Sequence, residues 1–296
     1  MRIAVTGREG QVVSSLLNCG AAEGHDIIAV GRPDLDLALP DTIELALAAT
    51  RPDVIVSSAA YTAVDRAESE SDLAYAINAK GAGVVAEAAR SLGVPLVHIS
   101  TDYVFSGTGD RPYVETDETG PTGVYGASKL AGEAAVLDAY GENSAVLRTA
   151  WVYSQFGSNF AKTMLRLAGD RDEVGVVADQ FGNPTSALEI AVGILHVAEN
   201  LLANSDRAMR GVFHMTAAGE GSWADFAEVI FAVSQSHNGP SARVRRITTA
   251  EYPTPAVRPT NSRLDCSHIR EMHGVVLPDW RKSTEEVVTR LVSGAI

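Results

Sequence analysis

Tyr125 and Lys129 stand four residues apart in Val124-Tyr125-Gly126-Ala127-Ser128-Lys129, with Ser100-Thr101-Asp102-Tyr103 upstream. One helical turn puts the phenol and the ammonium on a common face. A cation beside a phenol stabilises the phenolate and lowers a pKa that starts near ~10. A phenol tuned in this way exchanges a proton with an alcohol or sugar oxygen near neutral pH, and the Thr101 hydroxyl can hold that same oxygen. The chemistry so named is carbonyl–alcohol interconversion, with Thr101, Tyr125 and Lys129 as the catalytic candidates.

Such a reaction needs a hydride carrier. Gly7-Arg8-Glu9-Gly10-Gln11-Val12-Val13 follows an apolar run and opens a helical one. In that context a glycine-rich turn cradles a pyrophosphate on backbone N–H groups at a helix N-terminus. The third glycine of the usual fingerprint is replaced by Val13. Gly31-Arg32 closes the second strand, where an adenosine ribose lies. Arg32 accommodates a 2′-phosphate and favours NADPH, while nearby Asp36, with Leu37 beside it, keeps NADH open. Ser58-Ala59-Ala60-Tyr61-Thr62 ends the third strand with small residues that let a flat cofactor approach the backbone. Farther on, Arg258-Pro259-Thr260-Asn261-Ser262-Arg263 groups cations with amide and hydroxyl donors. A guanidinium there is a candidate clamp for a diphosphate.

The elements that must position these residues follow from periodicity. Strands are expected over Arg2–Thr6, Asp26–Val30, Asp53–Ser57, Pro95–Ser100 and Ser144–Thr149. Helices are expected over Gln11–Ala22, Pro40–Ala49, a long stretch Glu70–Leu92, and Val124–Tyr140. Near-continuous apolar strands between amphipathic helices predict a parallel sheet covered on both faces. The fold class is therefore α/β, a doubly wound Rossmann-like parallel sheet with a smaller C-terminal α/β substrate lobe. Residues 1–150 form the NADP-binding domain. Residues 151–296 form mainly the substrate-binding lobe, with some strands and helices returning to the main sheet. Within it, helices are expected near 158–169, 185–203 and 222–236, strands near 174–177, 211–215 and 243–247, and two helices after the Pro-rich stretch Tyr252–Pro259.

Composition bounds the partners. The 296 residues are 46% hydrophobic and 21% charged, an ordinary globular composition. A net charge of −13 argues against nucleic acid or an anionic membrane. No apolar run approaches the ~20 residues that span a bilayer, and the N-terminus runs straight into a strand, leaving no room for a signal peptide. Lysines occur only at 80, 129, 162 and 282, so arginines must supply most of any phosphate-binding charge. Cys19 and Cys266 read as reduced thiols of a cytoplasmic protein, and the histidines show no metal-ligand spacing. No catalytic metal is expected.

Together these residues resemble the short-chain dehydrogenase/reductase superfamily, in its sugar-nucleotide branch, and within that the family of dTDP-4-dehydrorhamnose reductases. The resemblance spans essentially the whole chain. Its more specific blocks are Asn159-Phe160 with Thr163-Met164, Asp179-Gln180 with Gly182, Pro184 and Thr185, Arg258 to Leu264, and Leu277-Pro278-Asp279-Trp280. It implies reduction of dTDP-4-dehydro-β-L-rhamnose to dTDP-L-rhamnose, for rhamnose-containing polysaccharide. It further implies cofactor contacts at Gly10, Gln11, Val12, Ala60, Tyr61, Thr62, Tyr125 and Lys129, and substrate contacts at Thr101, Asp102 and Trp151. Tyr103, Arg258 and Asn261 complete the substrate candidates. Some members of the family resembled use acidic side chains on the first helix for a magnesium-bridged dimer. Val12-Val13-Ser14-Ser15-Leu16 carries no carboxylate, which argues against that metal, and a homodimer is left as an expectation. Two other readings stay open: a sugar-nucleotide epimerase or dehydratase, and a non-catalytic nucleotide-binding regulatory subunit.

Overall fold

The structure, a computed structural model, describes residues 1–294; residues 295–296 of the expected C-terminal lobe lie outside the described residues. Its centre is a six-stranded parallel sheet. β1 (Arg2–Thr6), β2 (Asp26–Val30), β3 (Val54–Ser57), β4 (Leu96–Thr101) and β5 (Ser144–Thr149) stand in the order β2-β1-β3-β4-β5, and the strand Gly211–His214 extends the sheet beside β5. Every residue of β3 and β5 is buried, as strands covered on both faces require.

One face of the sheet packs Ile3, Val5, Val54 and Leu147 against α1 (Gln11–Ala22) and the helix Ala187–Ala203. The other packs Ala4, Ile55 and Val146 against α2 (Ile43–Thr50) and the helices Ala82–Leu92 and Val124–Tyr140. A separate apolar cluster around Tyr153, Phe226 and Trp280 holds the later part of the chain together. The order of strands reverses between β1 and β3, and ligands of such sheets sit outside the carboxyl ends of the strands at that reversal. Gly7 and Ser58 to Thr62 emerge there, and Thr101 emerges at the carboxyl end of the next strand, β4. No helix among the described residues is long and apolar enough to cross a membrane.

Three features depart from the sequence expectation. The long helix Glu70–Leu92 is three pieces: Ser71–Tyr75, a π-helical turn Ala76–Gly81, and Ala82–Leu92. The wider turn brings buried Asn78 within reach of Tyr61 and Ser128, and such bulges recur at functional sites. The helix expected at Pro40–Ala49 starts as a 3-10 turn, Pro40–Thr42, and becomes α-helical only at Ile43. Glu173–Val177 and Arg243–Ile247 pair with each other outside the main sheet, whereas Gly211–His214 joins it. Two-residue ladders, such as Val152–Tyr153 with Thr185–Ser186, are too short to leave a period in sequence.

Candidate active site

Thr101 ends β4 and Tyr125 opens the helix Val124–Tyr140, whose next turn carries Lys129. The Tyr125 ring meets Tyr103 edge-on, with centroids 5.6 Å apart. The Thr101 hydroxyl donates to Asp102 Oδ1 at 2.9 Å and accepts the Tyr103 N–H at 3.2 Å, so its position is fixed from two sides. Burial pushes the Tyr125 phenol up to about 12, the Thr101 hydroxyl works the other way, and the Asp102 charge adds to the rise. Lys129 makes no hydrogen bond to that phenol. Its Nζ donates instead to the Ile99 carbonyl at 2.6 Å and lies 3.4 Å from His98 Nε2. The lowering of Tyr125 expected from sequence is therefore corrected: two of the ammonium's N–H groups are taken up on β4, and burial raises the phenol. Burial draws Lys129 itself down to about 8, opposed by Glu133.

Small residues let the helix lie this close. A Cβ on Gly126 would stand 2.2 Å from the Tyr103 carbonyl oxygen, and one on Gly132 would stand 2.0 Å from that of Asn78. Asn78, absent from the sequence candidates, ties the site together. Its Oδ1 accepts the Tyr61 N–H at 2.8 Å, and its Nδ2 donates to the Tyr61 carbonyl and to Ser128 Oγ. Ser128 in turn donates to the Tyr125 carbonyl at 2.8 Å. Beneath the helix, Glu133 accepts a forked pair of bonds from Arg148 on β5 and one from Ser100 on β4.

At the cofactor end, Gly7 adopts φ 102°, and a Cβ there would stand 3.3 Å from Val13 Cγ2 and 3.5 Å from Ala59 Cβ. Val13, which stands at the third glycine of the fingerprint, is buried in the core. The N–H groups of Gln11, Val12 and Val13 precede the first α-helical bond, Ser14 N–H to the Gly10 carbonyl, and no side chain caps them. That is a free anion-binding end on a twelve-residue helix. The Gln11 side chain is turned away, bonded to Val152, Ser154 and Asn159 behind the turn. Ala59 donates its N–H to Thr6 Oγ1, Ala60 is half-buried and Thr62 exposed, and the Tyr61 hydroxyl is committed to Glu70. Arg32 is exposed at the end of β2, and Arg8, which the sequence reading passed over, packs against Gly31 and pairs with Asp34. Asp36 departs from expectation: its carboxylate caps its own turn at the Ala38 N–H, and Leu37 is buried against Gly81.

Among the expected substrate contacts, Trp151 has φ 48° and stacks flat on Trp223, with centroids 3.5 Å apart. Gly182 has no room for a Cβ because that indole occupies the space. Trp223 was legible only as an aromatic at a helix start. Burial pushes the Asp102 carboxyl up to about 6, opposed by hydroxyls of Ser262 and Thr101, and its Oδ2 has no partner. The expected diphosphate clamp is not open. Arg258 makes a bidentate pair with Asp65, at 2.9 and 2.7 Å, and the Asn261 amide is closed on the Arg111 carbonyl and on Arg263. On α1, Ser15 is buried with an unpartnered hydroxyl, and among the described residues no group of three His, Cys, Asp or Glu could hold a metal ion. Both cysteines are free thiols.

Residues 1–293 match the family model described as the RmlD substrate binding domain. A dTDP-4-dehydrorhamnose reductase of Sinorhizobium fredii (strain NBRC 101917 / NGR234) is 49% identical over 292 residues, covering 99% of this chain and 98% of that one. A solved dTDP-4-dehydrorhamnose reductase of Clostridium acetobutylicum ATCC 824 superposes with a TM-score of 0.90 at 36% identity, covering 98% of this chain and 99% of that one. A second, from Bacillus anthracis str. Ames in complex with NADP, gives 0.89 at 36% identity, again over 98% and 99%.

Proposed function

The chain belongs to the RmlD substrate binding domain family, and on that premise we propose that it reduces the C4 ketone of dTDP-4-dehydro-β-L-rhamnose with NADPH, giving dTDP-L-rhamnose. The reading rests on one observation above others. The Tyr125 phenol lies in reach of the Thr101 hydroxyl, on the helix that also carries Lys129, at the carboxyl end of β4 and on the same edge of the sheet as the glycine turn after β1.

The residues present fit the cofactor: uncapped N–H groups at α1, Gly7 at φ 102°, a backbone conformation that side chains rarely adopt, and the small residues Ala59 and Ala60. Gly10, Gln11 and Val12 would receive the pyrophosphate, and Arg32 with Arg8 the ribose phosphate. NADPH, when bound, supplies the hydride that reaches the ketone carbon. Tyr125 gives its proton to the ketone oxygen, so that C=O becomes CH–OH, and is reprotonated from solvent. The Thr101 hydroxyl turns its one proton from Asp102 Oδ1 to the ketone oxygen, donating a hydrogen bond where negative charge grows, a stabilisation of about 3 kcal/mol for one such donor. Lys129 offers its remaining N–H to the nicotinamide ribose and its charge to the phenolate left behind. Trp151, on its Trp223 backing, packs against the sugar. Asp102 is followed by Tyr103 and not by a second carboxylate, so the paired acids a dehydratase needs are missing. A cytoplasmic setting, where NADPH and nucleotide sugars are found, belongs to the same reading.

The test is a coupled assay on dTDP-glucose treated with a 4,6-dehydratase and a 3,5-epimerase. Stoichiometric loss of NADPH is expected. A protein that retains NAD and causes no net oxidation of NADPH belongs with the epimerases, and the proposal fails. Cofactor choice gives a second expected result. Replacing Arg32 by Glu removes a charged hydrogen bond of ~1.5–3 kcal/mol, so KM for NADPH rises about 10–100-fold while KM for NADH hardly moves. Equal changes for both cofactors, measured by steady-state kinetics, would remove Arg32 from the site.

A further inference from the structure

His98 is a histidine in the middle of an apolar strand, Leu96-Val97-His98-Ile99, and only 1% of it is exposed. The reaction above gives it no role. Its Nδ1 lies 3.0 Å from Ser57 Oγ on the neighbouring β3, and its Nε2 lies 3.4 Å from the Lys129 ammonium. An ammonium has three donors and accepts nothing, so the ring nitrogen facing it presents a lone pair. The proton then sits on Nδ1 and is donated to Ser57, which fixes both tautomer and ring orientation. Burial, with the Lys129 charge added, keeps the ring well below the usual histidine range and therefore neutral. Nε2 and the Ile99 carbonyl take two of the ammonium's N–H groups and leave the third for a ligand.

We propose that His98 is a positioning residue for Lys129: its Ser57-anchored imidazole supplies the acceptor that aims the ammonium and leaves one N–H free toward the crevice. The proposal rests on the reading of Lys129 as the cation beside Tyr125 and the nicotinamide ribose. The groups facing Lys129 are His98 and the Ile99 carbonyl on β4, with Ser57 behind on β3. Tyr125 and Glu133 flank it on its own helix, and Asp102 lies beyond β4 next to Tyr125. Of these, Glu133 stabilises the ammonium and His98 accepts from it. An acceptor that favours the charged form raises its pKa, so its loss lowers that of Lys129 beyond what burial already does. Activity that needs the ammonium is present below that pKa and lost as pH rises through it. Losing the acceptor therefore moves the basic limb of the kcat/KM profile to lower pH.

His98→Asn and His98→Gln separate the two ring nitrogens. An Asn amide reaches the Nδ1 place and Ser57 but falls short of Lys129, whereas a Gln carbonyl reaches the Nε2 place. In H98N the basic limb is expected to move down by roughly one pH unit and NADPH to bind several-fold more weakly. In H98Q the limb stays where wild type has it. Limbs that are unchanged in both variants, or displaced alike in both, overturn the proposal, because a structural role would not tell the two apart. Ser57→Ala carries the same test without altering β4, should H98N fail to fold: a displaced limb supports the proposal and an unmoved one overturns it. Lys129→Met gives the reference and must lose the limb. A limb that survives there refutes the reading of Lys129 itself, a different outcome from one shared by the His98 variants.

Discussion

A Tyr125→Phe enzyme is expected to turn over ~10²–10⁴-fold more slowly than wild type while binding NADPH with almost unchanged affinity. The Phe ring keeps the edge-on contact with Tyr103 and leaves the cofactor turn at Gly7 untouched, so only the proton donor is lost. Because the phenol is pushed up to about 12, Tyr125 is fully protonated at neutral pH and does not set the basic limb of the rate profile. Lys129, drawn down to about 8 by burial, is expected to set it. Single-turnover rates and fluorescence titration with NADPH check both halves of the expectation. A Phe variant with normal turnover would remove Tyr125 from the chemistry.

The second large effect is on stability. Glu133 and Arg148 have side chains only 3% and 5% exposed, joined at 2.7 Å, with Ser100 adding a bond at 2.5 Å. Glu133→Ala leaves a guanidinium buried without its counter-ion, which costs ~3–5 kcal/mol, measurable by urea denaturation. Replacing both partners, E133L with R148M, removes the uncompensated charge and recovers most of that loss. A single variant that loses less than about 1 kcal/mol would mean that Arg148 finds another partner. The pair joins β5 to the helix bearing Tyr125 and Lys129, so E133A lowers activity alongside stability.

How much was legible from sequence depended on whether a residue acts through local pattern or through distant contact. β1, β3, β4 and β5 were readable because strands buried on both faces are continuous apolar runs, and helix Val124–Tyr140 because its bounds are marked by glycines. Thr101, Tyr125 and Lys129 were legible as residue types at a fixed spacing near a strand end. Asn78 was not: a π turn leaves no period, and its partners Tyr61 and Ser128 lie 17 and 50 residues away. The same limit explains Arg258. As sequence it is a free cation in a Pro-rich loop, but Asp65, 193 residues earlier, already holds it. The direction of the Lys129 ammonium was misread for a related reason. Helical spacing places it beside Tyr125 on one face, but the Ile99 carbonyl and His98, on a strand some thirty residues earlier, decide where it points.

The most direct test follows the hydride. The purified chain is given dTDP-4-dehydro-β-L-rhamnose and NADPH carrying deuterium at both positions of the nicotinamide C4, and the product is examined by NMR. The account predicts dTDP-L-rhamnose carrying deuterium at the sugar C4, with none from the cofactor elsewhere on the ring. A product without that label, or one labelled only when the solvent is D2O, would contradict it.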